Sequence, residues 1–223
     1  MALAPGTQEA SVYHSAMLLI LASASPRRMA LLREAGYVFE VEPAHVDESE
    51  LVGEAPGAYV LRVAAMKART IAARHPADLI LAADTTVVVD GAMLAKPADD
   101  ADAKGMLELL SARTHDVLTG VVLIRGGRQS SAVVRTRVRF RPLTAAEIDW
   151  YVASGEPRDK AGAYGVQGLA ARFVESVEGS YSNVVGLPVG AVRALLDAEG
   201  FSPHDAARAG GWTEPAPFDR TGG

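Results

Sequence analysis

Two kinds of charged side chain recur beside breaks in the sequence pattern. Cations stand at Arg27, Arg28, Lys67, Lys96 and Lys160, and carboxylates at Glu48, Asp84 and Asp159. Cations neutralise the oxygens of a polyphosphate, while carboxylates hold Mg²⁺ or Mn²⁺ and activate water. The set therefore reads as metal-assisted hydrolysis of a phosphate ester or anhydride. Other chemistries lack their residues. The chain has no cysteine, which removes disulfides, thiolate catalysis, Cys-ligated zinc and iron–sulfur clusters together. The five histidines (His14, His45, His75, His115 and His204) show no metal-ligand spacing. HExxH, GxSxG and GxxxxGK[ST] motifs do not occur, and nothing favours a serine-hydrolase triad.

Positioning these groups falls to an alternation of strand-like and helical patterns, the mark of an α/β fold. Met17–Ala22 is an apolar run suited to a strand buried on both faces. Ser25 then reads as a helix N-cap with Pro26 at the first helical position and Gly36 as the stop. Arg27 and Arg28 fall in that first turn, where the helix dipole disfavours cations unless an anion neutralises them. They form either a phosphate cradle or an arginine pair salt-bridged to nearby acids. A second helix is expected over Ala58–Arg74, with Val60, Val63, Ala64 and Ile71 on its apolar face. Lys67 shares that face, so its ammonium either snorkels to solvent or projects into a buried anionic site. Leu79–Ala83 is a further buried strand, expected to end abruptly at Asp84. A carboxylate so placed is a metal ligand or catalytic acid in open α/β sheets, or else a capping aspartate. Asp90-Gly91 reads as a hairpin turn. Lys96 sits just outside a helix with an acidic N-terminus, Asp99 to about Ala112.

Farther on, His115–Ile124 and Ala132–Arg141 form a hairpin around Gly126-Gly127. Arg135, Arg137, Arg139 and Arg141 line one face of its second strand. That stripe suits either a nucleic-acid backbone or, more simply, the solvated outer face of an edge strand. Thr144 and Glu147 make a capping box for the next helix, with Leu143 and Ile148 as a hydrophobic staple. The segment Asp159–Gly168 holds three glycines, which permit close backbone approach to a ligand. Gly179–Asn183 reads as a polar loop, and Pro188 opens the last helix. Residues 1–16 and 203–223 read as tails around one domain at 17–202.

The motifs together resemble the Maf family of nucleoside triphosphate pyrophosphatases. Ser23-Ala24-Ser25-Pro26-Arg27-Arg28 is similar to the family's opening motif. The series continues through Val46-Asp47-Glu48, Lys67-Ala68-Arg69, Ala83-Asp84-Thr85 and Lys96-Pro97. It resumes at His115 through Thr119-Gly120, Gly155-Glu156-Pro157 and Asp159–Gly168, and ends with Gly179-Ser180-Tyr181 and Asn183–Pro188. The resemblance implies an elongated mixed central sheet flanked by helices, two lobes around a deep cleft, similar to inosine-triphosphate pyrophosphatases. It also implies hydrolysis of a nucleoside triphosphate to monophosphate and pyrophosphate with a divalent metal cation, Mg²⁺ or Mn²⁺. Asp84 matches the family's catalytic aspartate and, with Glu48, the metal site. Ser23, Arg28, Lys67 and Lys96 match phosphate-site positions. Arg27, Thr85 and Gln167 match the three positions that separate the subfamilies, and this set resembles the dTTP/UTP branch. A homodimer is implied by the same resemblance.

Alternatives within that frame are 7-methyl-GTP or a modified nucleotide as substrate, and a non-catalytic nucleotide sensor tied to septum formation and division arrest. Outside it stands nucleic-acid binding by the arginine stripe. Its net charge of −5 argues against a dedicated nucleic-acid coat. Met17–Ala24 imitates a signal peptide, but no Lys or Arg precedes Arg27, and the run is shorter than the ~20 apolar residues of a membrane span. The expectation is a soluble, cytoplasmic protein.

Overall fold

The computed structural model describes residues 17–203. The tails expected at 1–16 and 203–223 lie outside these residues, Pro203 apart. Among the described residues, seven strands form one sheet. They are β1 (Leu19–Leu21), β2 (Glu40–Val41), β3 (Leu79–Val89), β4 (Ala92–Leu94), β5 (Thr114–Arg125), β6 (Arg128–Phe140) and β7 (Val174–Glu178). Their order is β2-β1-β3-β5-β6-β7, with β4 also pairing β3. The β2–β1–β3 end is parallel and the rest antiparallel, so the sheet is mixed, as expected.

Among the described residues, six α-helices flank it: α1 (Pro26–Glu34), α2 (Pro56–Ala72), α3 (Asp100–Leu110), α4 (Ala145–Ala153), α5 (Tyr181–Val185) and α6 (Val189–Ala198). Alternation along β3 divides the core. Ile80 and Ala82 pack with α2 residues Ala64, Ala68 and Ile71 on one face. Leu79, Leu81, Ala83 and Val87 face the larger core on the other, which α1, α3, α4, α5 and α6 supply. Several local signals act as the sequence predicts. The Ser25 side chain caps α1, and Thr144 with Glu147 closes a capping box on α4. Asp90 and Gly91 both have positive φ between β3 and β4, as do Gly126 and Gly127 between β5 and β6, the backbone that tight hairpins need.

Three expectations are corrected. β3 does not stop before Asp84; it runs unbroken from Leu79 to Val89 because β5 pairs it from Ile80 to Val88. Its other edge is divided, with β1 covering Leu79–Leu81 and β4 covering Val87–Val89. The stretch between, centred on Asp84, has no strand beside it. Next, Gly179–Asn183 is not simply a loop: Ser180 accepts a hydrogen bond from the Asn183 N–H and caps the short helix α5. Finally, β6 is not a free edge throughout, since β7 pairs Arg137–Phe140. Its arginines meet carboxylates: Arg135 with Asp116, Arg137 with Glu178, Arg139 with Glu175 and Arg141 with Glu147. Among the described residues no helix is long and apolar enough to cross a membrane.

Candidate active site

The open edge of β3 between β1 and β4 faces a cleft of about 940 Å³ that reaches both faces of the sheet edge. The nine residues given site roles from the sequence all line it, namely Ser23, Arg27, Arg28, Glu48, Lys67, Asp84, Thr85, Lys96 and Gln167, as do Asp159 and Lys160. They come from segments more than a hundred residues apart, and the break between β1 and β4 is what gathers them.

Successive β3 side chains point to opposite faces, so Asp84 looks toward α2 and Thr85 away from it. On the α2 side, Lys67 is buried and does not snorkel. Its Nζ donates to Asp84 Oδ1 at 2.8 Å and lies 2.7 Å from Glu48 Oε1. One ammonium thus bridges both carboxylates. Asp84 is nearly buried, whereas the Glu48 side chain is 46% exposed. Burial opposes the charge on Glu48, yet Lys67, with Lys96 and Arg28 farther off, holds its carboxyl below the usual range. The loop carrying Glu48 is tethered to the same helix: Tyr59 Oη donates to Glu48 O at 3.0 Å, and Arg62 Nη2 to Ser49 O at 2.9 Å. Sequence reasoning missed Tyr59, although its position eight residues before Lys67 puts both on one side of α2.

Arg28 lies where α1, β3 and the loop after α5 converge. Its guanidinium donates to Gly186 O (2.8 Å), Ala83 O (2.7 Å), Thr85 Oγ1 (3.1 Å) and Ser23 Oγ (3.4 Å). Most of its N–H groups are therefore engaged by protein acceptors. Arg28 braces the floor of the cleft and places a fixed positive charge near Asp84. Burial lowers its pKa and Asp84 counters that shift. Thr85 Oγ1 also shares a hydrogen bond with Thr119 Oγ1 at 2.9 Å, its register partner on β5.

Arg27 takes the salt-bridged form that the sequence left open. Its Nη1 lies 2.7 Å from Asp159 Oδ2, across the mouth of the cleft. Asp159 in turn accepts from Lys160 Nζ at 2.6 Å. Burial opposes its charge, but Lys160 and Arg27 pull its carboxyl down to about 2. Lys96 and Gln167 are exposed at the rim.

Among the described residues, no group of three or more His, Cys, Asp or Glu converges as a metal-ligand set. Glu48 and Asp84 nevertheless present hard oxygen donors on one wall of the cleft. That suits a small divalent cation completed by water and substrate phosphates, as Mg²⁺ sites are built.

A protein-family model described as Maf: Maf-like protein matches residues 18–199. A dTTP/UTP pyrophosphatase of Myxococcus xanthus is 54% identical over 183 residues, covering 82% of this chain and 93% of that protein. Another dTTP/UTP pyrophosphatase, from Symbiobacterium thermophilum, is 51% identical over 183 residues, covering 82% and 94%. Among solved structures, the Staphylococcus aureus Ham1 protein superposes with a TM-score of 0.50 at 11% identity, over 81% of this chain and 98% of that one. It shares the fold.

Proposed function

This chain belongs to the Maf-like protein family, and on that premise we propose that it is a nucleoside triphosphate pyrophosphatase acting on dTTP and UTP. The observation that carries the reading is Lys67 bridging Asp84 and Glu48 on the wall of a cleft that Arg27, Arg28, Lys96 and Lys160 also line. A water oxygen attacks the α-phosphorus, the bond from that phosphorus to the α–β bridging oxygen breaks, and pyrophosphate leaves. Asp84 takes the proton from the attacking water, or orients that water beside the metal site; Lys67 fixes the rotamer of its carboxylate in either role. Lys96, at the rim, meets charge on the departing pyrophosphate, and Arg28 adds a fixed positive field from below. A divalent cation held by Glu48 and Asp84 supplies Lewis-acid polarisation of the phosphate oxygens when bound.

Base choice is assigned to Gln167 with Arg27 and Thr85. A neutral amide offers both a donor and an acceptor, matching the mixed edge of uracil or thymine. The Glu48–Lys67–Asp84 cluster carries a net single negative charge, which is weak bait for a free dication.

Product analysis tests this function. The purified protein is incubated with dTTP, UTP, CTP, GTP and 7-methyl-GTP, with Mg²⁺ or Mn²⁺, and products are resolved by chromatography. Monophosphate and pyrophosphate from dTTP and UTP are expected. Diphosphate and orthophosphate would move the cut to the β–γ bond and overturn the mechanism. Tight binding without turnover would favour a nucleotide sensor.

A further inference from the structure

Gln167 stands on a turn whose two ends are held by one polar relay. Gly165, Val166, Gln167 and Gly168 form the turn, closed by the Gly168 N–H donating to Gly165 O at 3.0 Å. Val166 and Gln167 are its central residues, the first buried and the second exposed to the cleft. At the entrance, the Gly165 N–H donates to Tyr151 Oη at 3.2 Å. At the exit, the Leu169 N–H donates to Glu156 Oε2 at 2.9 Å. The relay closes because Tyr151 Oη itself donates to Glu156 Oε1 at 2.9 Å.

Each part of this relay is rigid for a stated reason. Tyr151 is fully buried on α4, and its ring packs edge-on against Phe173 at 5.2 Å between centroids. Glu156 opens a 3-10 turn after Gly155, whose φ is 74°. Both Glu156 carboxylate oxygens accept from protein donors, which ties the group to the turn. The fit is also tight. A Cβ on Gly168 would run into the Glu156 carboxylate, and one on Gly165 would come within 2.7 Å of Lys160 Cε. Glycine at Gly168 leaves room for the Glu156 carboxylate in the position where it accepts from the Leu169 N–H.

We infer that Tyr151 and Glu156 are positioning residues for base selection, fixing the turn that presents Gln167. The inference rests on the reading of Gln167 as the residue that meets the base. A displaced turn leaves the Gln167 amide unable to pair with the uracil edge while the phosphate site stays intact. The loss therefore falls on discrimination between bases and appears mainly in KM.

The test measures kcat and KM for dTTP, UTP and CTP in the full chain and in Tyr151→Phe, Glu156→Ala, Glu156→Gln, Gln167→Ala and the Tyr151→Phe/Gln167→Ala double variant. Tyr151→Phe keeps the ring packing and removes only the hydroxyl. It is expected to reduce the preference for dTTP and UTP over CTP about tenfold, the scale of one mispaired buried polar group. Glu156→Ala is expected to match it. Glu156→Gln keeps an acceptor for the Leu169 N–H and recovers part of the loss, a check that does not depend on Tyr151. In the Gln167→Ala background, Tyr151→Phe adds almost nothing, because the two act through one contact. Equal slowing of all three nucleotides, or full additivity in the double variant, overturns the positioning role and leaves Gln167 in place. An unchanged preference in Gln167→Ala overturns the reading of Gln167 itself, and this inference with it.

Discussion

Gly120 stands directly opposite Asp84 in the β3–β5 ladder, beneath the helix that delivers Lys67. A Cβ there would lie 2.6 Å from both the carbonyl carbon and the oxygen of Val60. The missing side chain therefore sets how closely α2 approaches the sheet, and with it the reach of Lys67, two turns farther along the helix. Gly120→Ala is expected to push α2 outward and destabilise the fold by about 1–3 kcal/mol, the usual cost of overpacking. Thermal unfolding and dTTP turnover check this. Turnover should fall even well below the new melting temperature, and a variant as stable and active as the parent refutes the spacing role.

Asp84→Asn is nearly isosteric and leaves β3 pairing untouched, so the fold is expected to persist. Turnover should drop by roughly 10²–10⁴, the range of a lost general base. Stopped assays of pyrophosphate release, read beside circular dichroism of the variant, decide it. Near-normal release removes Asp84 from the chemistry.

Gln167→Glu replaces a mixed donor–acceptor amide with an acceptor-only carboxylate. Turnover of dTTP and UTP is expected to fall tenfold or more, by roughly 1–3 kcal/mol of mispairing, while pyrophosphate inhibits parent and variant alike. Measured inhibition constants and kcat/KM values separate the two effects, and equal loss in both refutes base contact at this position.

His115 connects pH to stability. Its Nε2 lies 2.8 Å from Tyr164 Oη, and the ring packs edge-on against Phe140 and Tyr164. Burial pushes its pKa down to about 4, against a smaller opposing pull from Asp116. In the unfolded chain the value returns to about 6.5. Between those limits the unfolded state binds a proton that the folded state does not, so stability rises with pH across that window. The contribution is complete above about pH 6.5 and is lost as pH falls toward 4, by about 3 kcal/mol. Urea midpoints measured from pH 4 to 7 should show this slope, and His115→Gln should flatten it. An unchanged slope in the variant assigns the effect elsewhere.

Much of this was written in the sequence. Caps at Ser25 and Thr144 and turns at Asp90-Gly91 and Gly126-Gly127 are local events, governed by residues within four positions of each other. All nine proposed site residues proved to share one cleft, although their roles came from family resemblance rather than from spacing. What escaped was non-local. The continuation of β3 through Asp84 depends on β5, paired from more than thirty residues away. Whether Lys67 snorkels or turns inward depends on Glu48 and Asp84 waiting above α2, which helical periodicity does not encode. The Tyr151–Glu156 relay is made of side chains whose types suit a core tyrosine and a surface acid equally well. Only the return of the chain at Gly165 and Leu169 gives them a common task.

The gap in the β3 edge has a consequence for how this molecule behaves in a crowded solution. Exposed strand edges recruit strands from other chains and so seed aggregation. Here the bare run is only about five residues, near 17 Å at the rise of an extended strand, and it is hemmed by β1 at one end and β4 at the other. Arg28 already occupies the Ala83 carbonyl within it. A visiting strand would find too short a berth and a guanidinium in its way, so the protein can keep a sheet edge open for small molecules without opening it to its neighbours.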